Sequence, residues 1–185
     1  MTSIDPREAA SALSDIDLIA RRVRQSTIYN LSSLLMIMWG MLVFAGNIAS
    51  FLWPRTAGYI WIAVDVAGIA GSFAISASSY SQTGIRSFDF RMLVALLLFI
   101  AFGVFSSCWL GHFTPRQMAT FWPIYYMLFY TIAGLWFGQA FVAIGLGITA
   151  LTLIGYFFSG DWFDPWMAFV NGGGLILGGL WMRRD

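Results

Sequence analysis

The sequence predicts an all-α integral membrane protein: a six-transmembrane-helix bundle built as three helical hairpins in parallel repeat, with a short N-terminal amphipathic helix. Three observations carry this. Apolar residues make up 59% of the chain and charged residues only 10%, against about 25% charged in an ordinary soluble domain. Apolar segments of spanning length follow one another from Tyr29 onward. The turns between them repeat a Pro-Arg and Trp signature at fixed spacing.

Residues 1–27 form the only polar segment of any length. Ser14 and Asp17 are spaced as in a capping box, with Asp in place of the usual Glu. Ile16, Ile19, Ala20 and Val23 then fall on one helical face, with Arg21, Arg22 and Arg24 around the other. This predicts a short helix on the cytoplasmic leaflet, its arginines near anionic headgroups, acting as a lead-in that orients the first span. No cleavable signal is expected, because the apolar run that follows is too long for a signal core. Residues 28–182 are expected to form the membrane domain and residues 183–185 a cytoplasmic tail.

The expected spans are residues 29–52, 58–79, 92–110, 118–137, 139–158 and 162–181, each near the roughly 20 residues that cross the hydrocarbon core. Residues 117–159 contain no charge at all. A run of that length crosses twice, and Gly138-Gln139 is the pair that suits its inner turn. Arginine placement sets the orientation, since positive charge collects on the cytoplasmic side. With both termini inside, Arg7, Arg21, Arg22, Arg24, Arg86, Arg91, Arg183 and Arg184 lie inside and only Arg55 and Arg116 outside. Trp53, Trp61, Trp109, Trp122, Trp162 and Trp166 then form an aromatic belt at the outer interface of a cell inner membrane.

The repeat is visible in the outer turns. Pro54-Arg55 precedes Trp61 by the same interval as Pro115-Arg116 precedes Trp122. In the third turn, a shift of 105 residues places Trp166 on Trp61, Ala168 on Ala63, Gly173 on Gly68, Gly145 on Gly40 and Ala150 on Ala45. Parallel repeats of this kind surround an axis along the membrane normal.

The repeat also exposes a polar layer. Asp65, Tyr126 and Asn171 lie about one turn beyond Trp61, Trp122 and Trp166. Asn47 lies at the same depth on the first span, and the shift of 105 puts Thr152 opposite it. All five fall about 6 to 9 Å inside the outer interface, with Ser106, Ser107 and Cys108 near the same level. Asp65 is the only acid deep inside an apolar span, Asp164 falling in the first turn of the last one, and an intramembrane carboxylate marks a functional site by default. Small residues at spacings of four, Ala63-Ala67-Gly71, Gly68-Ser72-Ser76, Gly134-Gly138 and Gly174-Gly178, predict close helix approach inside the bundle. Asn171-Gly172-Gly173-Gly174 predicts a local irregularity beside the polar layer.

Much chemistry is missing. The chain has one histidine, His112, and one cysteine, Cys108, so no cofactor, no intrachain disulfide and no metal site are expected. No nucleophile elbow, zinc motif or paired intramembrane acids occur, and Asp161 and Asp164 in the last outer turn lack a base or nucleophile, so an enzyme is not expected. The net charge of +1 argues against nucleic acid as a partner. The partners expected are the lipid bilayer and either a second copy or a transporter subunit.

Six short spans with a hairpin repeat resemble the HdeD-type small bacterial inner-membrane proteins associated with acid resistance, in span count, length and turn placement. The resemblance implies a non-transporting structural or stress-response protein without a ligand. The same span count and size also resemble the substrate-binding subunits of energy-coupling-factor vitamin transporters, which implies an ATPase partner. From the residues themselves, the leading expectation is a small solute or a proton held in an outward-facing cavity by Asp65, Asn47, Asn171, Tyr126 and Thr152, in a transporter component or sensor. In the proton case, Asp65→Asn leaves folding nearly unchanged and abolishes coupled activity.

Overall fold

A computed structural model describes residues 6–83 and 90–183, with the side chains of residues 6–28, 79–83, 90, 92 and 93 outside that description. The amphipathic faces expected within residues 1–27, and Arg86 and Arg184 of the charge count, lie outside the described residues and side chains. Among the described residues the regular structure is all helical. Helix α1 (Pro6–Leu52) ends in a single 3₁₀ turn (Pro54–Thr56), which leads into α2 (Ala57–Thr83). Helix α3 (Phe90–Val104) continues through a π turn (Phe105–Leu110), and α4 (Pro115–Phe137) and α5 (Gln139–Phe158) follow. A 3₁₀ turn (Gly160–Trp162) then opens a last rod of α6 (Phe163–Met167), a π segment (Ala168–Gly173) and α7 (Gly174–Met182).

Three stretches are long and apolar enough to cross a bilayer: Tyr29–Leu52, Pro54–Ser78 and Gln139–Phe158. Val94–Leu110 is apolar but shorter. The other two expected segments are diluted or divided. Helix α4 carries Gln117, Pro123, Tyr125, Tyr126 and Tyr130 among its apolar residues, and the last rod is split by its π segment.

The N-terminal region differs from the separate lead-in helix expected. Helix α1 runs 47 residues without interruption, about 70 Å at 1.5 Å per residue. Ser14 therefore lies inside a helix and not at its start. A capping box does occur, at α4: the Thr114 hydroxyl accepts from the Gln117 N–H at 3.3 Å, and the Gln117 side-chain oxygen accepts from the Thr114 N–H at 2.9 Å. Pro115 follows at the first helical position, where a missing N–H costs nothing.

Helix α4 ends at Gly138, where the sequence placed a turn. Gly138 has φ of 138°, a region that side chains beyond glycine rarely adopt. The Tyr29 hydroxyl fills the space where a Cβ would stand. Tyr29 of α1 and the α4–α5 turn thus share one end of the molecule. Ser33 and Gly179 meet toward the same end, through a Ser33 hydroxyl that donates to the Gly179 carbonyl at 2.6 Å. At the opposite end Phe51 stacks on Trp162 with centroids 5.7 Å apart.

The helices pack as neighbours in the order α2, α1, last rod, α5, α4. Glycines set the two closest approaches. A Cβ on Gly40 would stand 2.8 Å from the Gly172 carbonyl, and one on Gly145 would stand 2.8 Å from the Met127 carbonyl. Backbone-to-backbone approach of this kind replaces the hydrophobic drive that lipid does not supply. Of the small-residue faces, Gly68 and Ser72 turn to α1, where Trp39 lies over Gly68 and donates its indole N–H to the Ser72 hydroxyl at 3.0 Å. Ala63 and Ala67 are exposed. The apolar core gathers Met36, Met127, Phe141, Ile144, Ile148 and Leu175 from α1, α4, α5 and α7. Helix α3 is joined to α4 mainly by aromatic rings.

Candidate functional site

The structure divides the five residues of the expected polar layer into two groups. Asn47, Thr152 and Asn171 are buried. Their level can be read from neighbours: Phe44, one turn before Asn47, packs on Gly172, and Ile148, one turn before Thr152, packs on Gly174. The three therefore lie within about a turn of one another, where α1, α5 and the π segment converge. The Asn47 amide donates to the Val43 carbonyl of its own helix at 2.9 Å. The Thr152 hydroxyl is wholly buried and has no partner, and the Ser50 hydroxyl one turn above Asn47 is in the same state.

Asp65 and Tyr126 form the second group. Both are exposed, on α2 and α4 respectively. These helices do not pack closely on each other. The tyrosine is held in an aromatic cluster, 5.6 Å from Phe99 and 5.9 Å from Trp122 between centroids. Tyr125 stacks on Phe99 at 4.0 Å and donates its hydroxyl to the Phe99 carbonyl at 3.0 Å, which fixes α3 against α4. The sequence reading missed this cluster. Its signal was the run Phe121-Trp122 and Tyr125-Tyr126, two aromatic pairs one helical turn apart.

Comparison with protein families, with curated proteins and with solved structures finds no match for this chain.

Two π segments occur, and each carries residues that the sequence places near the polar layer. The first carries Ser106, Ser107 and Cys108, with Ser107 wholly buried and its hydroxyl donating to the Gly103 carbonyl at 2.8 Å. The second contains Asn171-Gly172-Gly173, at the irregularity that the sequence predicts. π turns are uncommon and concentrate at functional sites. Among the described residues no cluster of His, Cys, Asp or Glu could hold a metal ion.

A second polar feature closes the end of the molecule that holds the Gly160 turn. Arg116, at the start of α4, donates to the carbonyls of Gly160 at 2.8 Å and Tyr156 at 2.9 Å. Its guanidinium lies 5.0 Å from the Phe163 ring centroid and acts electrostatically on Asp164. It caps the carbonyl end of α5 and ties α4, α5 and α6 together. Asp161 and Asp164 thus stand beside a structural clamp.

Proposed function

We propose that this chain is a six-span bacterial inner-membrane protein, both termini cytoplasmic, that holds a small solute or a proton at Asp65 in a cleft open toward the outer face, as a transporter component or membrane sensor. The observation that carries the reading is Asp65, a lone carboxylate inside the apolar stretch Pro54–Ser78 of α2. A carboxylate in such a place persists only for a use.

The three-hairpin repeat supports the same reading. Gly40 meets Gly172 and Ile176, and Gly145 meets Met127 and Thr131. Matching Trp166 to Trp122 carries Met127 and Thr131 to positions 171 and 175, one short of the pair that Gly40 meets. The π segment Ala168–Gly173 lies in that interval, and a π turn accommodates one extra residue. Two hairpin seams are then equivalent. The third seam would set Ala101 of α3 against Val66 and Ala70 of α2, and all three are exposed. Asp65, next to Val66, lies along this unpacked seam.

A second reading applies to Asn47, Thr152 and Asn171. Their burial favours a structural role, as in a non-transporting stress-response protein without a ligand. The decisive experiment replaces Asp65 with Cys in a Cys108→Ser background and treats intact cells with a membrane-impermeant maleimide. Labelling of Asp65→Cys from outside is expected, with topology reporters at Gln117 and Gly160 scoring as external. Reaction only after the cells are opened, or reporters scoring as cytoplasmic, would overturn the outward-open site.

A further inference from the structure

We infer that the exposed face of α2 around Asp65 is a docking surface for a second membrane protein, whose spanning helix presents a lysine or arginine to the Asp65 carboxylate. The inference goes beyond the reading of Asp65 as a solute or proton site and names the partner that a transporter component or sensor assembles with there. Three observations select this occupant.

The first is how little of α2 the chain itself covers. In their most apolar parts Tyr29–Leu52 and Gln139–Phe158 are each 33% buried, and Pro54–Ser78 only 11%. Helix α2 packs mainly on α1, through Val64 against Gly46 and Gly68 under Trp39. The second is the pattern on the bare side. Gly58, Ile62, Asp65, Ile69, Ser72 and Ser76 recur at alternating intervals of four and three, the spacing that lines residues along one seam between two helices. The first four are exposed, Ile62 by 62% and Ile69 by 51%, and the two serines are half-buried. A Cβ on Gly58 would meet nothing within 4 Å, so this glycine serves no close approach inside the chain. Beside a partner helix it lets two backbones come together.

The third is charge. Asp65 is exposed well inside the apolar stretch Pro54–Ser78, and ionisable side chains inside a membrane persist where they are paired or serve a path. All ten basic residues of the chain are arginines, and none falls within the six expected spans. A second copy side by side would bring only another Asp65 to that depth. The cation therefore comes from a different chain. Solute or proton and the partner's cation then compete for one carboxylate, which makes release of the partner a report of what Asp65 holds.

The test uses the full chain in phosphatidylcholine vesicles, whose lipids carry no net charge to attract the probe. The probe is a synthetic spanning peptide of leucine and alanine with one central lysine and a dansyl group. A control peptide has leucine in place of that lysine. Either direction of insertion keeps the central lysine near the depth of Asp65. Energy transfer from the chain's tryptophans to the dansyl group reports association as added lipid dilutes both partners. The lysine peptide is expected to associate about tenfold or more tightly than its control. Asp65→Asn should remove that preference and Asp65→Glu should keep it, while Gly58→Leu should weaken association of the lysine peptide severalfold. Asp161→Asn, away from this face, leaves association unchanged. Helix content by circular dichroism identifies any variant that fails to fold, and the lysine peptide against its control on the wild type then decides alone. Equal transfer to the two peptides, or a lysine preference that survives Asp65→Asn, overturns the inference. Asp65-dependent association of labelled full chains without peptide overturns it in favour of a second copy. No lysine preference while Asp65→Cys still labels from outside overturns the partner and leaves the solute or proton site. Failure of both overturns that reading as well.

Discussion

Ser33 donates its hydroxyl to the carbonyl of Gly179 across 146 residues of sequence, at 2.6 Å and out of contact with solvent. The bond joins α1 to α7. It forms because Gly179 has no side chain: a Cβ there would stand 2.9 Å from the Ser33 carbonyl and 2.8 Å from Ile37. Interhelical hydrogen bonds in membranes contribute about 0.6 kcal/mol on average and at most about 2. Ser33→Ala should therefore lower stability only slightly. Gly179→Leu should cost several times more, because it separates the two backbones along their whole contact. Reversible unfolding in mixed micelles measures both, and equal losses would contradict this account.

Gly138 supports a second prediction. Its φ of 138° and the Tyr29 hydroxyl beside it penalise any side chain. Gly138→Ala should cost about 1 to 3 kcal/mol, the range for backbone held in such regions. Adding Tyr29→Phe removes the hydroxyl and leaves the dihedral cost. The double mutant should recover part of the loss in a thermal melt, and full recovery would mean that the backbone angle carries no strain.

What the sequence revealed follows from what each signal encodes. Apolar runs and their breakers are one-dimensional, so the Gly138 turn and the irregularity at Asn171-Gly172-Gly173 were legible from residue order alone. Which side of a helix a residue occupies was not. Helix α2 is apolar almost all round, with Ala63, Val66, Ala67 and Ile69 exposed and Val64 and Gly68 buried, so no polar face marks its orientation. Asp65 was consequently grouped with Asn47, Thr152 and Asn171, which are buried in another part of the fold. The aromatic cluster of Phe99, Trp122, Tyr125 and Tyr126 was hidden for a related reason. Its residues also suit an interfacial belt, and only the placement of α3 on α4 separates the two roles.

Arg116 provides a third prediction. One planar guanidinium reaches both Gly160 and Tyr156 carbonyls while lying over the Phe163 ring. A lysine ammonium is a single charge on a flexible stem and cannot reproduce the fork or the stacking. Arg116→Lys should therefore behave more like Arg116→Met than like the wild type. Both should lose about 1 to 2 kcal/mol. Limited proteolysis at the Gly160 turn should accelerate in both variants. A lysine variant as protected as the wild type would show that charge alone suffices.

Thr152 carries the last prediction. Thr120, Thr131 and Thr149 each return their hydroxyl to a carbonyl one turn earlier, at 2.9, 2.8 and 2.7 Å. Thr152 is wholly buried and its hydroxyl makes no such bond. A buried hydroxyl without a partner costs about 1 to 3 kcal/mol, whereas an apolar group of the same shape carries no such penalty. Thr152→Val keeps the branched outline and exchanges the hydroxyl for a methyl, so it should leave the protein as stable or raise its melting temperature. Thr149→Val, which removes a satisfied bond, should instead be neutral or slightly destabilising. The two substitutions lie on one helix less than a turn apart, so their difference isolates the state of the hydroxyl. A clear loss of stability in Thr152→Val, larger than in Thr149→Val, would mean that the Thr152 hydroxyl is paired in the membrane with a water or solute, and would return Thr152 to the ligand site.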